Sequence, residues 1–217
     1  MGKHIIWDWN GTLLDDTQLC VEVLNGILAI REREPISIED YRQHFRFPVI
    51  EFYNYLGFDT AADSFAAISR EFIDAYEARW FSVCQLHEGA TSILSAVRSY
   101  GGHQSVLSAA KQDALEVGIR EYQIGEYFTE LAGTSNIYAD GKIARGKQWI
   151  AEADLDSAEV LLVGDTLHDK EVADAMGVGC LLVAHGHYTR QRLAKSGAPV
   201  FVGFDDLGAC LERFFEV

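Results

Sequence analysis

The sequence predicts an α/β protein, a doubly wound parallel sheet with an all-helical segment inserted after its first strand. Three observations carry this expectation. Short strand-like runs at 4–9, 103–108, 160–163 and 179–184, continuously apolar at 160–163, alternate with stretches of helical periodicity, the pattern of strands buried on both faces by crossover helices. Between the first run and the second lie about 70 residues with helical spacing only. Carboxylates and a hydroxyl stand where the apolar runs end, which is where open α/β sheets bind ligands.

Each element has its own signal. His4-Ile5-Ile6-Trp7-Asp8-Trp9 reads as a buried strand that stops at the turn Asn10-Gly11-Thr12. From Thr17 to about Arg33, Leu19, Val23, Leu24, Ile27 and Leu28 recur at helical spacing, and Pro35 closes the run. A helix starts near Ser37, with Glu39 and Asp40 against the positive end of its dipole. Pro48 begins another. Phe65, Ile68, Phe72, Ile73, Tyr76 and Trp80 predict one long helix over 61–83. After His87-Glu88-Gly89 the texture changes. Ile93, Leu94 and Val97 predict a helix closed by Gly101-Gly102, then a strand over 103–108, a helix over 111–118 and a short strand over 128–133. A helix is expected after Gly146, a strand at Val160-Leu161-Leu162-Val163, and a helix over 169–176 that stops at Gly177. Strands are expected at 179–184 and, more briefly, at 199–202. The expected division is a core of 1–14 plus 85–217 and a helical cap of 15–84, with no internal repeat and no flexible linker.

Composition narrows the function classes. The 217 residues are 48% hydrophobic and 24% charged, an ordinary globular balance. Lys plus Arg number 18 against 33 Asp plus Glu, a formal charge of −15. Nucleic-acid binding depends on cations displacing counterions, and anionic membrane surfaces attract basic segments, so neither partner is expected. An anionic ligand would need positive potential supplied locally. Met-Gly-Lys-His runs straight into an apolar strand, so no secretory leader is expected. Cys20, Cys84, Cys180 and Cys210 form no Cys-x-x-Cys pair and read as reduced thiols in a cytoplasmic protein.

The strand ends hold the candidate chemistry. The first strand ends in Asp8, the second in Ser108, and a later one in Gly164-Asp165, with Asp169 opening the next helix. Lys147 follows Gly146 at an expected helix start. Three carboxylates, a hydroxyl and an ammonium thus converge on one rim from distant stretches. With the motifs Asp8-Trp9-Asn10-Gly11-Thr12-Leu13, Ser108, Lys147 and Gly164-Asp165-Thr166-Leu167-His168-Asp169, the chain resembles the haloacid dehalogenase-like hydrolases across nearly its whole length, in their phosphoglycolate-phosphatase-like branch with a helical cap and a Rossmann-like core.

That resemblance implies a Mg²⁺-dependent phosphatase acting on a small phosphorylated metabolite, as a monomer or weak homodimer. Asp8 would be the nucleophile and form an aspartyl-phosphate. Asp8, the main-chain carbonyl of Asn10 and Asp165 would hold the metal, with Asp169 as direct or indirect ligand. Ser108 and nearby backbone N–H groups would hold phosphoryl oxygens, with Gly11, Thr12 and Ala109 among the substrate-binding residues; Gly11 would let the backbone turn tightly beside the phosphate, and Lys147 would neutralise charge on nucleophile and phosphoryl group. Arg46, in a loop between two helices of the cap, could bind a carboxylate or second phosphate of the substrate.

One position departs from the family pattern. Asn10 stands where most of these phosphatases have an acid–base Asp, and an amide cannot donate and recover a proton; such help is worth roughly 10²–10⁴-fold. The enzyme could be slow on alkyl phosphates, favour good leaving groups, or draw its proton from another group. Two other classes stay open: a phosphomutase of the β-phosphoglucomutase type, and a weakened phosphate-binding or regulatory protein. Asp165 and Asp169 argue against dehalogenation. Residues 15–84 contain no Lys, which removes a Schiff-base route. His87 and Glu88 read as hinge packing, His168 as an exposed loop residue, and His185 with His187 as no metal pair. Lys111 reads evenly as a substrate contact or a solvated side chain, and Trp9 as core or site mouth.

Overall fold

A computed structural model of the chain describes residues 2–58, 65–136, 138, 141–153 and 155–216. Strand β1 (His4–Trp7) lies at the centre of a six-stranded sheet with β4 (His103–Lys111) and β5 (Glu130–Thr134) on one side. On the other side follow β6 (Val160–Gly164), β7 (Gly179–Val183) and β8 (Val200–Phe201). Every neighbouring pair is parallel, and His4 registers against His103 on one side and Val160 on the other. The strand order therefore reverses beside β1, and the crevice opens at its carboxyl end.

Both faces are covered, which explains the unbroken apolar runs. Ile5 and Trp7 point into one core with Leu94, Val97, Leu207 and Leu211 from α6 (Ala90–Ser99) and α11 (Phe204–Phe215). Ile6, between them, points to the opposite core with Trp149, Val172 and Met176 from α8 (Lys142–Glu152) and α9 (Leu167–Met176). Helix α7 (Gln112–Glu121) connects β4 to β5. Helix α11 has no counterpart in the sequence reading, although Phe204, Leu207 and Leu211 recur at helical spacing and are buried. A short helix, α10 (Arg190–Leu193), follows β7.

The insert leaves and returns at one place. Strand β2 (Leu14–Asp15) pairs antiparallel with β3 (Gln85–Leu86), Leu14 opposite Leu86. Between them run α1 (Thr17–Ile30), α2 (Ile38–His44), α3 (Val49–Tyr55), α4 (Phe65–Glu77) and α5 (Trp80–Val83). Ser37 caps α2 by accepting the N–H of Asp40. The single helix expected over 61–83 is two, parted at Ala78-Arg79; its expected start at 61–64 lies outside the described residues. No described helix is long and apolar enough to cross a membrane.

The helix expected after Gly146 begins five positions earlier. Gly141, at φ 85°, holds the left-handed conformation at its N-cap, and Lys142 is its first residue. Gly146 instead lies mid-helix, where a side chain would strike Met176 and Leu107. Lys142, Gly146 and Trp149 share the buried face, and Lys147 is exposed on another.

Candidate active site

The floor of the crevice is built from strand ends. The Asp8 N–H donates to the Val163 carbonyl, which fixes the end of β1 against β6. Asp8, Asp165 and Asp169 are buried, with carboxylate oxygens all within 4.8 Å of one another. Lys142 reaches between them, its Nζ 2.6 Å from Asp8 Oδ1 and 2.5 Å from Asp169 Oδ1. The other oxygen of Asp169 accepts the N–H groups of Asp165 and Thr166 and the Thr166 hydroxyl. Thr166 in turn accepts the Asp169 N–H, closing a capping box on α9. Asp165 accepts the Thr12 hydroxyl at 2.9 Å and the His187 N–H at 2.6 Å. Gly11, at φ 74°, and Gly186 pack against that carboxylate so closely that a side chain on either would overlap it.

The electrostatics follow from burial. Taking Asp8 out of water, with Asp169 beside it, pushes its pKa up to about 8 against the pull of Lys142. Burial raises Asp165 to about 6, with His187 opposing. Burial would also raise Asp169, but Lys142 and the hydrogen bonds outweigh it and hold it low. Burial works against the charge on Lys142, but Asp169 and Asp8 overcome it and hold the ammonium protonated. Three carboxylates facing one ammonium leave negative charge uncompensated in a dry pocket. An all-oxygen donor set with that deficit fits a hard divalent cation.

The ladder between β4 and β5 shifts register after Leu107 and resumes at Lys111. Ser108, Ala109 and Ala110 occupy this interruption, all three lining the crevice, with the Ala110 N–H donating to Ser108 Oγ. The irregular backbone thus places the Ser108 hydroxyl at the crevice beside Asp8, while the Ala109 and Ala110 carbonyls accept the Thr134 hydroxyl.

A second buried network adjoins the floor, and the sequence reading missed it. Asp16 accepts the Gly11 N–H, the Asn10 amide at 2.7 Å and the Tyr76 hydroxyl at 2.7 Å. The Asn10 amide also donates to Tyr76 at 3.0 Å. His187 Nε2 lies 3.4 Å from Asp16, and its Nδ1 meets the Tyr41 hydroxyl at 3.1 Å. Burial would raise Asp16, yet His187 holds it low; burial would lower His187, yet Asp16 lifts it to about 9. They form a buried ion pair. Asp16 follows β2, Tyr76 comes from α4 and His187 from the loop after β7, so no spacing along the chain announces them.

The structure brings Asp8, Asn10, Ser108, Ala109, Asp165 and Asp169 together, and corrects four other expectations. Lys142, not Lys147, holds the ammonium position, because the helix starts at Gly141. Thr12 is fully buried and orients Asp165 instead of facing the crevice. The Gly11 N–H is taken by Asp16. Arg46 does not line the crevice: its Nε donates to the His44 carbonyl and its guanidinium stacks on Tyr55. His168, read as an exposed loop residue, lines the crevice and stacks on Phe47 at 4.7 Å. His87 stacks on His185 at 3.8 Å beside the hinge. Lys111 lines the crevice edge and pairs with Asp113.

Known proteins share this fold. The solved structure of a predicted phosphatase from Clostridium acetobutylicum matches with a TM-score of 0.81 at 18% identity, covering 98% of this chain and 99% of that one. The phosphoglycolate phosphatase of Caulobacter vibrioides is 24% identical over 208 residues, 93% of this chain and 86% of that protein. The tyrosine-protein kinase PtkA of Mycobacterium tuberculosis is 24% identical over 202 residues, 90% of this chain and 67% of its own. The family described as haloacid dehalogenase-like hydrolase matches residues 5–183, and with its pattern of strand-end carboxylates in place, the chain belongs to the haloacid dehalogenase-like hydrolases.

Proposed function

We propose that the protein is a Mg²⁺-dependent phosphatase that hydrolyses a small phosphomonoester through an aspartyl-phosphate on Asp8. The observation that carries this reading is Lys142 bridging Asp8 and Asp169 at 2.6 and 2.5 Å, beside Asp165. Its relatives named phosphoglycolate phosphatase support the same class of reaction. An Asp8 oxygen attacks phosphorus, the P–O bond to the alcohol breaks, and the alcohol leaves with a proton. Water then attacks the same phosphorus, the bond to Asp8 breaks, and inorganic phosphate departs. Ser108 and the backbone at Ala109 hold the phosphoryl oxygens, while Lys142 offsets charge on nucleophile and phosphoryl group.

Asp8, the Asn10 carbonyl and Asp165 would hold the divalent ion, which supplies further charge neutralisation. Asp169, whose oxygens already serve Lys142 and the α9 N-terminus, acts through them. The segment 15–84 serves as a cap over the site, and the β2–β3 ribbon is its hinge, closing to exclude water during transfer. The Asn10 amide donates to Asp16 and Tyr76, so the leaving-group proton comes from elsewhere or the leaving group needs none.

Hydrolysis of p-nitrophenyl phosphate and acetyl phosphate with and without Mg²⁺ tests this reading. Metal-dependent turnover lost in Asp8→Asn is the expected result. Absence of turnover, with phosphate and Mg²⁺ still bound, would replace it with a phosphate-binding role.

A further inference from the structure

The crevice above Asp8 is a cavity of about 190 Å³ whose two ends differ in chemistry. Most of the charged groups gather at the floor, with Ser69 and Glu77 on α4 and Lys111 at the edge outside it. Away from it, the walls are Trp9, Phe47, Phe52, Phe72, Ile73 and Trp80. Four tyrosines also face it among the described residues, and three have their hydroxyls already engaged. Tyr41 bonds His187, Tyr76 bonds Asp16 and Tyr53 bonds Ser69. These rings turn apolar faces to the cavity and polar ends into the protein. Such a wall offers little to the hydroxyls of a sugar.

It offers little to a carboxylate either. Among described residues, Lys142 and Lys111 are the lysines that line the cavity, and no arginine does. Lys142 is held by Asp8 and Asp169 and the charged His187 by Asp16, while Lys111 pairs with Asp113 at the solvent-exposed edge. Arg46 is engaged outside. Residues 59–64, 137, 139 and 140 include no Lys or Arg in sequence. Glu77 and Asp16 line the cavity and would repel an acid. Burying a carboxylate there would leave it unpaired, a penalty of several kcal/mol.

Resting on the phosphatase reading above, we propose that the substrate is a phosphomonoester whose alcohol is uncharged and carries an aromatic ring, seated against Phe47, Phe72, Tyr76 and Trp80. The rings supply offset or edge contacts of the kind aromatic pairs prefer.

The test is calorimetric binding of three non-hydrolysable phosphonates to the wild-type protein in Mg²⁺, which removes leaving-group reactivity from the comparison. 3-Phenylpropylphosphonate should bind at least about tenfold more tightly than propylphosphonate, and 3-phosphonopropionate no more tightly than propylphosphonate. In Phe72→Ala the phenyl advantage should fall at least about threefold, with propylphosphonate unchanged. Equal binding of phenyl and propyl ligands, or tightest binding of 3-phosphonopropionate, would overturn the proposal, and the wild-type series alone decides it. Turnover is read separately, on 2-phenylethyl phosphate and 2-phosphoglycolate. Phenyl preference without turnover of either ester would sink the phosphatase reading and leave the cavity's ligand class standing. Turnover with 2-phosphoglycolate preferred would do the reverse.

Discussion

Asp8, Ser108 and Asp165 reach the floor of the cavity from three strand ends, and Lys142 from a helix start, whereas Phe47, Phe72, Tyr76 and Trp80 reach its walls from the helical insert. The floor is fixed by backbone. Parallel ladders on both sides of β1 and a capping box on α9 hold each carboxylate in place. The walls are fixed by side-chain packing between helices, which tolerates exchange of one apolar group for another. The difference assigns chemistry to the floor and selection to the walls. Between the two lies the Asp16–His187 pair, tied by Gly11 and Asp165 to the floor and by Tyr76 and Tyr41 to the insert.

Substitutions can break this division, beginning with the largest effect. Asp8→Asn should lower turnover by at least about 10³-fold, since it removes the proposed nucleophile, with ligand binding at the walls retained. Lys142→Met should lower kcat by roughly 10²–10³-fold and also lower the melting temperature, because it leaves three buried carboxylates without their cation. Lys147→Met, on the exposed face of the same helix, should leave both readouts unchanged; equal losses in the two variants would refute the placement of the ammonium.

His187→Gln probes the joint between the regions. Removing one partner of a buried ion pair costs about 3–5 kcal/mol, measurable by urea unfolding. The pH dependence has a definite sign. His187 has a folded pKa of about 9, above its unfolded value of about 6.5. Its contribution is therefore complete below about pH 6.5 and is lost as pH rises through about 9. The gap between wild type and His187→Gln should narrow over that window. His4 and His185, which burial lowers to about 4, destabilise the fold on the acid side in both proteins and cancel in the difference. A constant gap from pH 6 to pH 9.5 would contradict the pairing.

Asn10→Asp gives the smallest effect and sharpens the comparison most. The family pattern suggests that restoring an acid raises turnover. Here the new carboxylate would share hydrogen-bonding space with Asp16, so one of the two must titrate high. Stability should fall by about 1 kcal/mol at neutral pH and recover as pH drops towards 5, because the folded state then binds the extra proton. A variant as stable as wild type at pH 8 would show that the Asp16 network absorbs a second charge.

Much of the floor was legible in the sequence because strands end sharply. Asp8 and Asp165 each follow an apolar run, so their positions are fixed by counting. Lys142 was missed because this stretch of the chain offers Gly-Lys twice, at 141–142 and 146–147, and only the buried spacing of Lys142, Gly146 and Trp149 separates a helix start from a helix middle. The Asp16, Tyr76 and His187 network was illegible, since its members are separated by up to 171 residues and meet only after the insert folds back. The break in 61–83 was illegible for another reason: Ala78-Arg79 carries neither proline nor glycine, and tertiary packing decided it. The walls were illegible too: helical spacing reads Phe72, Tyr76 and Trp80 as core, and their shared cavity depends on how five helices pack.

The most direct test is mass spectrometry of protein acid-quenched during turnover of acetyl phosphate with Mg²⁺. A phosphoryl adduct is expected on the peptide containing Asp8, present in wild type and absent in Asp8→Asn. Continued turnover with no adduct, or an adduct on another residue, would contradict it.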